Sequence, residues 1–378
     1  MRKRYKIVIA GAGGMGSATG LLLKELGDFA VDLILGDAQE ERAQAAARWI
    51  REGSDKPGAV TAFHLPLEGT TAELDALLNG ADVLLDCLPG EQAPRMARLA
   101  RQHGLHYSNL TEHVRETEEV MEIAAGAEQG YILQTGLAPG FVDVLANGLY
   151  RTFCQEHGDG PVDRVILRVG AITPEVQAPT FYAFTWSTIG VATEYVEPAT
   201  VIRDFRKTVV PSLSERRPIV VGGVLYEEDF TSGGAADLPA SLEGKVRTLD
   251  YKTLRHPGHY DWVQSVLDET PPGSDRARFL HERMQQTVPS AAEDQVVIHA
   301  AVERKGADGC VRRIESSRLV LPSRVGRHHL KAIQSTTSAA LAESARMLLT
   351  QDCRGVCLQS QIDPTAFMSG PFVSRIYG

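Results

Sequence analysis

A glycine-rich turn near the start of the chain carries the first residues whose types and spacing indicate chemistry. The turn follows an apolar run at residues 5–10 and has the spacing G-x-G-x-x-G. These glycines permit a tight turn, a close approach of the backbone to a pyrophosphate, and close packing of the helix that follows. The N-terminus of that helix offers unpaired N–H groups to the phosphates. The predicted phosphate-binding residues are Gly11, Gly13, Gly14, Met15 and Gly16.

A carboxylate follows the second apolar run, which spans residues 31–36. Asp37 lies about twenty residues after the glycines, where an acidic side chain accepts hydrogen bonds from the adenosine ribose. No basic residue directly follows Asp37, which favours NAD over NADP. Arg42 lies one helical turn further on and keeps NADP open as the alternative. We therefore predict a dinucleotide site with NAD as the cofactor.

The composition of the chain excludes several classes of protein. With 378 residues and 43% hydrophobic content, the chain has room for two domains. A formal net charge of −9 argues against general nucleic-acid binding, and no apolar run reaches the ~18 residues that a membrane span needs. The basic first residues lead directly into a strand, so we expect no signal peptide, and five scattered cysteines indicate the reducing cytoplasm. The spacing of Cys353 and Cys357 does not match a zinc site, so we expect free thiols and no metal.

Short apolar runs alternate with helical patterns as far as about residue 135, which is typical of a parallel sheet covered by helices. The runs number six, and we predict an α/β fold with a Rossmann doubly wound sheet over residues 1–137. Ligands bind at the carboxyl ends of the strands in such sheets. The residues after the fourth and fifth strands should therefore lie near the nicotinamide, and they include Cys87, Leu88, Pro89, Leu110 and Glu112.

The character of the sequence changes after the loop at residues 158–161. Strands of a mostly antiparallel sheet are predicted at 162–169, 180–186, 217–221, 245–254, 295–304 and 311–321, and helices at 260–268 and 276–286. This pattern predicts an inserted α+β domain over residues 138–329. A long helix at about 331–350 opens a C-terminal segment, residues 330–378, that we expect to pack back on the Rossmann domain.

Several segments, in this order along the chain, resemble the saccharopine dehydrogenase-like superfamily, and within it the bacterial NAD-dependent L-lysine 6-dehydrogenases. The segments are 11–16 (GAGGMG), 110–112 (LTE), 136–141 (GLAPGF), 185–187 (TWS), 194–199 (EYVEPA), 231–234 (TSGG), 242–247 (LEGKVR), 251–259 (YKTLRHPGH) and 332–337 (AIQSTT). The resemblance implies that the inserted domain is catalytic and forms a homodimer. It also implies that Pro139 and Gly140 bring a helix start against the cofactor.

The chain departs from the lysine dehydrogenases at three positions. Asn109 stands where the family favours Asp, His256 stands where it favours Tyr, and Ala235 begins a stretch where it continues with Leu-Gly. All three lie in segments that the resemblance places around the site. The departures bear on the choice of substrate more than on the type of reaction.

The reaction that the resemblance implies transfers a hydride from the ε-carbon of lysine to the nicotinamide, and water then converts the imine to an aldehyde and ammonia. A base must first neutralise the ammonium, and a group whose pKa lies near neutrality suits that task. Glu112 is the first candidate because of its place at the nicotinamide edge, and a helix N-terminal carboxylate is its alternative role. His113 is its neighbour. His256 is the second catalytic candidate, and His259 lies in the same turn.

Four residues of the inserted domain are candidates for substrate binding. Arg255 offers a bidentate fork for a carboxylate, and Lys252 lies three residues earlier. On a strand these two side chains point to opposite faces, so at most one of them should reach the ligand. Tyr182 and Trp186 are four residues apart and could line the aliphatic part of the substrate from one face of a strand. A structural ion pair or a place in the core is the alternative role for each of the four.

Two other functions remain open from the sequence. The first keeps the fold but assumes a secondary amine, as in saccharopine or carboxynorspermidine dehydrogenase. That substrate carries additional carboxylates, and Arg203, Arg206 and Lys207 are available to bind them. The second is a protein without catalysis that senses NAD(H). Beyond the small-molecule substrate and a second copy of the chain, we expect no nucleic-acid or membrane partner.

Overall fold

The structure is a computed structural model, and it describes residues 3–112 and 114–378. His113, one of the histidines considered above, lies outside the described residues. The chain divides into two compact units. One contains the chain up to residue 141 together with residues 323–330 and 334–378, and the other contains residues 142–322 and 331–333.

The first unit alternates strands and helices along its N-terminal part. Its strands are β1 (Arg4–Ala10), β2 (Ala30–Asp37), β3 (Val60–His64), β4 (Val83–Asp86), β5 (His106–Asn109) and β6 (Gly130–Ile132). The helices are α1 (Gly14–Leu26), α2 (Glu40–Gly53), α3 (Ala72–Leu78), α4 (Ala93–Gln102) and α5 (Val114–Ala124), with a 3-10 turn at Gly90–Gln92. The central strand β1 pairs in parallel with β2 and β4 and is almost fully buried, because helices cover a parallel sheet on both faces.

The second unit is built around a mixed sheet. Its helices are α6 (Phe141–His157), α7 (Thr188–Val196), α8 (Leu238–Ser241), α9 (His259–Asp268) and α10 (Arg276–Thr287). Its strands are β7 (Val162–Ile172), β8 (Ala199–Arg203), β9 (Arg206–Val210), β10 (Arg217–Val221), β11 (Val224–Phe230), β12 (Val246–Arg255), β13 (Gln295–Lys305) and β14 (Val311–Val320). They form the order β10-β11-β12-β7-β13-β14, with β8 joined to β12 and β9 joined to β8. The pair β12–β7 is parallel and the other pairs are antiparallel.

The predicted strand at residues 180–186 is wrong. Phe181 has a positive φ of 46°, and a residue in this left-handed conformation interrupts the extended backbone of a strand. The Thr180 hydroxyl donates to the Tyr182 carbonyl at 3.0 Å and holds the chain in a local turn. Phe184 makes one isolated bridge with Ser290. The segment from 180 to 186 is therefore a loop held in place by its side chains.

The C-terminal part of the chain completes the first unit. It contains β15 (Ser323–Val325), β16 (His328–Leu330), α11 (Ala332–Thr350), β17 (Gly355–Cys357), α12 (Pro364–Met368) and α13 (Pro371–Tyr377), with a 3-10 turn at Gln359–Gln361. Strand β17 pairs in parallel with β6, and the sheet has the order β17-β6-β5-β4-β1-β2-β3. The predicted Rossmann fold and the predicted return of the C-terminal segment to it are confirmed. Among the helices that the structure describes, none is both long and apolar enough to cross a membrane.

Candidate functional site

The glycine-rich turn has the geometry of a phosphate cradle. Gly11 has a φ of +94°, and a side chain there would also meet the Cys87 carbonyl oxygen at 2.8 Å. Gly16 packs directly on the Gly11 carbonyl, which leaves no room for a Cβ. Gly13 is different, because a Cβ built there meets nothing within 4 Å. Packing within the chain therefore gives no reason for a glycine at position 13, and the open space before α1 fits a pyrophosphate.

Asp37 lies at the end of β2 beside this turn. Its Oδ2 accepts the Ala12 N–H at 3.0 Å, and its Oδ1 accepts the Gln39 N–H at 3.0 Å. The guanidinium of Arg42 lies 3.7 Å from Oδ1 and is about half exposed. These backbone N–H groups thus hold the carboxylate at the position where it accepts hydrogen bonds from the ribose hydroxyls of a dinucleotide. Arg42 lies within reach of the same position.

A buried polar cluster supports the segment that follows β4. Asp86 accepts the Leu88 N–H at 3.0 Å through Oδ1 and the Tyr107 hydroxyl at 2.8 Å through Oδ2. Burial raises the pKa of Asp86 to about 7 and outweighs these two hydrogen bonds. Cys87 donates its N–H to the Ala10 carbonyl at 2.8 Å, and Pro89 precedes the 3-10 turn. Hydrogen bonds to Asp86 and to the Ala10 carbonyl therefore hold the segment that was predicted to face the nicotinamide, which consists of Cys87, Leu88 and Pro89.

Asn109 belongs to the same cluster. Its side chain is 1% exposed, with Oδ1 accepting the Gln134 N–H at 2.9 Å and Nδ2 donating to the Tyr107 hydroxyl at 3.4 Å. Gln134 has a positive φ of 62°, and the Asn109 amide anchors this unusual backbone. The Asn109 side chain, where the chain departs from the family pattern, is therefore buried and makes its hydrogen bonds within the protein.

Glu112 and Leu110 follow β5 at the carboxyl edge of the sheet. Both are half-buried. The partial burial of Glu112 raises the pKa of its carboxyl group. A raised pKa makes a carboxylate a stronger base, which suits a proton-transfer group.

The segment at residues 136–141 folds back on itself. Gly136 donates its N–H to the Pro139 carbonyl at 2.9 Å, and Phe141 donates to the Gly136 carbonyl at 2.9 Å. A Cβ at Gly140 would collide with the Gly136 backbone. The resemblance placed Pro139 and Gly140 at a helix start, and α6 begins at Phe141, directly after this compact turn.

In the second unit, Arg255 ends β12 and is 1% exposed. Its Nε–H donates to the Tyr195 hydroxyl at 2.6 Å, and its Nη1 donates to the Leu254 carbonyl at 3.0 Å. The guanidinium lies 4.9 Å from the ring centre of Tyr182 and 5.5 Å from that of Tyr195. The aromatic faces stabilise the cation without neutralising it.

The two histidines of the following turn differ in their surroundings. His259 is fully buried, and its ring nitrogens lie 2.7 Å from the Thr180 carbonyl and 2.9 Å from the Tyr195 hydroxyl. Burial, followed by the charge of Arg255, lowers the pKa of His259 to about 3. His256 is half-buried, and its Nε2–H donates to the Thr173 carbonyl at 2.8 Å. His259 is therefore neutral at physiological pH, and the ring of His256 is oriented by one backbone contact.

The structure gives Lys252 other partners. Its ammonium lies 3.1 Å from Glu215 and 3.7 Å from Glu228, and Glu228 also binds Arg168. The charge of Lys252 is thus already compensated within the second unit. Arg203 is likewise paired, with Asp250 at 3.0 Å.

The remaining candidates lie in or near the loop that replaces the predicted strand. Tyr182 is buried and packs with Phe184 and Tyr195 in an aromatic cluster, and Trp186 is a half-buried neighbour of the same cluster. Tyr182 reaches Arg255 through its ring, as described above. Arg206 and Lys207 are exposed on β9.

Two family models cover nearly all of the chain. Residues 7–133 match the saccharopine dehydrogenase NADP binding domain, and residues 136–376 match the saccharopine dehydrogenase C-terminal domain. The chain belongs to the saccharopine dehydrogenase family. It is therefore identified as an oxidoreductase of this family with a nicotinamide dinucleotide cofactor, and the open space at Gly13 fits the pyrophosphate of that cofactor.

Solved structures support the same fold. Saccharopine dehydrogenase (L-Glu forming) from Saccharomyces cerevisiae is 14% identical with a TM-score of 0.73, and the match covers 96% of each chain. The homospermidine synthase of Legionella pneumophila, solved with NAD, is 12% identical with a TM-score of 0.67. That match covers 100% of this chain and 91% of the synthase. At these identities the comparison shows a shared architecture.

Four residues that hold the predicted site residues in place were not predicted from the sequence. Asp86 could have been found, because it is a carboxylate at the end of an apolar strand next to the segment predicted to face the nicotinamide. Tyr107 alternates with Asn109 on the next strand and carries a weaker signal. Tyr195 and Thr180 reach Arg255 and His259 from distant parts of the chain; Tyr195 lies in the segment 194–199 that resembles the family, but nothing in the sequence pairs it with Arg255, and no local pattern marks Thr180.

Proposed function

We propose that this protein catalyses the NAD-dependent oxidative deamination of L-lysine at its ε-amine. The neutral amine gives a hydride from its ε-carbon to NAD and becomes an iminium ion. Water then adds to the iminium carbon, and 2-aminoadipate 6-semialdehyde and ammonium are released. The nicotinamide supplies the hydride acceptor, and the protein orients the substrate and moves the protons.

The state of Arg255 is the observation that carries this proposal. The second unit buries three cationic side chains, Arg168, Lys252 and Arg255, among its described residues. Carboxylates lie within 4 Å of Arg168 and Lys252, whereas no described carboxylate is that close to the guanidinium of Arg255. The charge of the buried Glu194 favours the Arg255 cation from farther away but does not occupy its N–H groups, and a substrate carboxylate can bind there. One such cation fits a substrate with one carboxylate, such as an α-amino acid.

Glu112 is the proposed base. Its raised pKa supports this role, because a stronger base takes a proton from the substrate ammonium more readily. His256 is the second candidate, oriented by Thr173. We propose that Tyr182 and Trp186 line the aliphatic part of the substrate, which the position of the Tyr182 ring against Arg255 supports.

NAD is the proposed cofactor. The support for it is the carboxylate of Asp37, which the backbone N–H groups of Ala12 and Gln39 hold in place. A carboxylate accepts hydrogen bonds from two ribose hydroxyls and repels a 2′-phosphate. The alternative is NADP, whose 2′-phosphate the half-exposed guanidinium of Arg42 would bind.

We further propose that the protein forms a homodimer through its second unit. Large aliphatic side chains are exposed there, most of them on or beside the strands and one on helix α7. They are Ile189, Val209, Val220, Val224, Leu225, Val311, Leu319 and Leu321. Light scattering coupled to size exclusion tests the proposal. A mass of one chain at micromolar concentration contradicts it.

A secondary amine such as saccharopine is the second candidate. The descriptions of the matching family models and the likeness to the yeast saccharopine dehydrogenase favour it. Its additional carboxylates need additional cations. In the second unit Arg203 and Lys252 are paired with acidic residues, and Arg206 and Lys207 are exposed on β9. This distribution of charges favours the primary amine.

The test is NADH formation at about pH 9–10, where part of the lysine carries a free ε-amine. L-lysine, saccharopine, ornithine and diaminobutyrate are compared, each with NAD and with NADP. Turnover of L-lysine with NAD supports the proposal. Turnover of saccharopine alone assigns the protein to the secondary-amine branch, and tight NAD binding without any turnover favours a sensor.

A further inference from the structure

A chain of four polar groups runs through the buried part of the second unit, and it begins at Arg255. Arg255 Nε contacts the Tyr195 hydroxyl at 2.6 Å, Tyr195 contacts His259 Nε2 at 2.9 Å, and His259 Nδ1 contacts the Thr180 carbonyl at 2.7 Å. The exposed fractions of the four side chains lie between 0 and 2%. No solvent competes for these contacts, so each of them must be satisfied within the protein.

The chemistry of the last group fixes the direction of every hydrogen bond. A carbonyl oxygen only accepts, so His259 donates to Thr180 through Nδ1–H. In a neutral imidazole Nε2 is then the acceptor, and it receives the Tyr195 O–H. The lone pairs of the Tyr195 oxygen are left to accept the Arg255 Nε–H. The sequence of donors therefore runs without conflict from Arg255 to the Thr180 carbonyl.

This order depends on a neutral His259. A protonated imidazole would donate from both nitrogens and would turn the Tyr195 hydroxyl proton toward Arg255. Burial and the nearby charge of Arg255 both oppose protonation, and they lower the pKa of His259 to about 3. His259 is therefore unsuited to accept a proton from the substrate. Its position lets it accept the Tyr195 hydroxyl and so orient the contact between Tyr195 and Arg255.

The contacts of Arg255 involve two of its three guanidinium nitrogens. Nε donates to Tyr195 and Nη1 donates to the Leu254 carbonyl, whereas Nη2 has no acceptor among the residues that the structure describes. A guanidinium is planar, so a bond at Nε sets the direction of the Nη2 edge. Held in this way, Arg255 leaves one N–H of Nη1 and those of Nη2 for a carboxylate, which can accept from both nitrogens without a reorientation of the guanidinium.

We propose that Tyr195 and His259 are positioning residues that fix the guanidinium of Arg255 for the carboxylate of an amino-acid substrate. This inference rests on the proposed function for the identity of the ligand. Preorganisation of this kind acts on binding, because the ordering of the side chain is complete before the ligand arrives. Neither residue touches the reacting carbon in this assignment.

The test compares two ligands that each keep one half of lysine. Norleucine keeps the α-carboxylate without the ε-amine, and 1,5-diaminopentane keeps the amine without the carboxylate. Dissociation constants are measured by calorimetry on the full-length protein with NADH bound, and KM and kcat for L-lysine are measured beside them. For Tyr195→Phe we expect norleucine to bind about 10-fold more weakly, since a hydrogen bond to a charged group is lost. KM should rise with it, while kcat and diaminopentane binding stay within twofold.

Two histidine variants separate positioning from packing. His259→Gln keeps an amide oxygen that can accept the Tyr195 hydroxyl and should bind norleucine within about threefold of the wild type. His259→Leu removes the acceptor and should match Tyr195→Phe. Tyr260→Phe is the control, because Tyr260 is another buried tyrosine of this unit, and its hydroxyl donates to the Thr253 carbonyl at 2.6 Å. It should leave both ligands unaffected.

The outcomes separate this inference from the proposed reaction. Unchanged norleucine binding in Tyr195→Phe and His259→Leu, or an equal loss for norleucine and diaminopentane, overturns the positioning role. Norleucine binding that depends on Tyr195, in a protein that does not oxidise lysine, supports the positioning role and overturns the reaction. A wild-type protein that binds no amino-acid carboxylate overturns both.

Discussion

Two buried arginines of the second unit lie on neighbouring strands and have opposite surroundings. Arg168 on β7 is held by Glu228 and Asp250, and a second arginine, Arg203, shares Asp250 at 3.0 Å. Arg255 on β12 is held by tyrosines and by a backbone carbonyl. The charge of the first arginine is neutralised by the fold. The second has no described carboxylate within 4 Å, and although the charge of the buried Glu194 favours it, part of its N–H groups are left for an anion.

A buried cation that serves the fold and one that can bind a ligand differ in their partners. Burial alone does not do so, since Arg168 and Arg255 are 2% and 1% exposed. The type of partner does. Carboxylates cancel the charge of a cation, whereas aromatic faces and carbonyl dipoles stabilise it and leave it available.

The largest effect is expected from removing the neutralised cation. Arg168→Met leaves Glu228 and Asp250 buried without their main counter-ion, and we expect a loss of about 3–5 kcal/mol of unfolding free energy. Urea unfolding of the full chain measures it. The paired variant Arg168→Met with Glu228→Met should recover part of the loss, because it removes one of the uncompensated charges. A paired variant less stable than Arg168→Met contradicts this account.

The second prediction concerns the cation that keeps its charge. Arg255→Met removes no carboxylate contact within 4 Å but does remove the hydrogen bonds to Tyr195 and Leu254 and the charge opposite the buried Glu194, so the loss of unfolding free energy should be smaller than for Arg168→Met. Binding of norleucine should weaken by about 100-fold, through the loss of a bidentate charge-assisted contact. Calorimetry with NADH bound measures this change. If Arg255→Met were as unstable as Arg168→Met, the distinction between the two arginines would fail.

The third prediction concerns the loss of stability at acidic pH that the buried His259 causes. The native pKa of His259 is lowered to about 3, chiefly by burial and then by Arg255, whereas an unfolded histidine titrates near about 6.5. Unfolding therefore takes up a proton between these values, and the stability that neutral His259 contributes is lost as the pH falls. Between pH 6.5 and 5 the loss should be about 2 kcal/mol, at roughly 1.4 kcal/mol for each pH unit. His259→Gln should show a shallower decline in urea unfolding over this range.

Much of the fold could be predicted because its signals are local. The strands of the first unit are apolar runs that end in glycines or acidic residues, and the sequence shows them directly. The strand β17 was missed, because its three residues are too few to show a pattern. Residues 180–186 alternate like a strand, but the left-handed backbone of Phe181 is a tertiary feature that alternation does not reveal.

The candidate site was predicted only in part, for a similar reason. The alternation of side chains along β12 places Lys252 and Arg255 on opposite faces, and the structure gives them different partners accordingly. Which of the two would be neutralised depends on Glu215 and Glu228, which lie far from them in sequence. Tyr195 reaches Arg255 across 60 residues of chain. Such pairs are set by packing and not by spacing.

The smallest effect is expected at the rim of the neutralised network. Glu215 is 37% exposed and lies 3.1 Å from Lys252 and 3.5 Å from Arg203. Partial burial opposes its ionisation, but the hydrogen bond and charge of Lys252 together with Arg203 and Arg217 lower the pKa of Glu215. The resulting stability is present above the pKa of an unfolded glutamate and is lost as the pH falls below it.

Glu215→Gln should therefore cost less than about 1 kcal/mol at neutral pH, because solvent screens the charge. Lys252 and Arg203 also keep Glu228 and Asp250 as partners. Glu282→Gln is the matched control, since Glu282 pairs with Arg278 at 3.0 Å on the exposed face of α10. Urea unfolding at low and high salt measures both variants, and the cost of Glu215→Gln should shrink as salt rises. A cost near that of Arg168→Met would mean that Glu215 belongs to the buried part of the network, and neutralisation would then extend to the surface of the second unit.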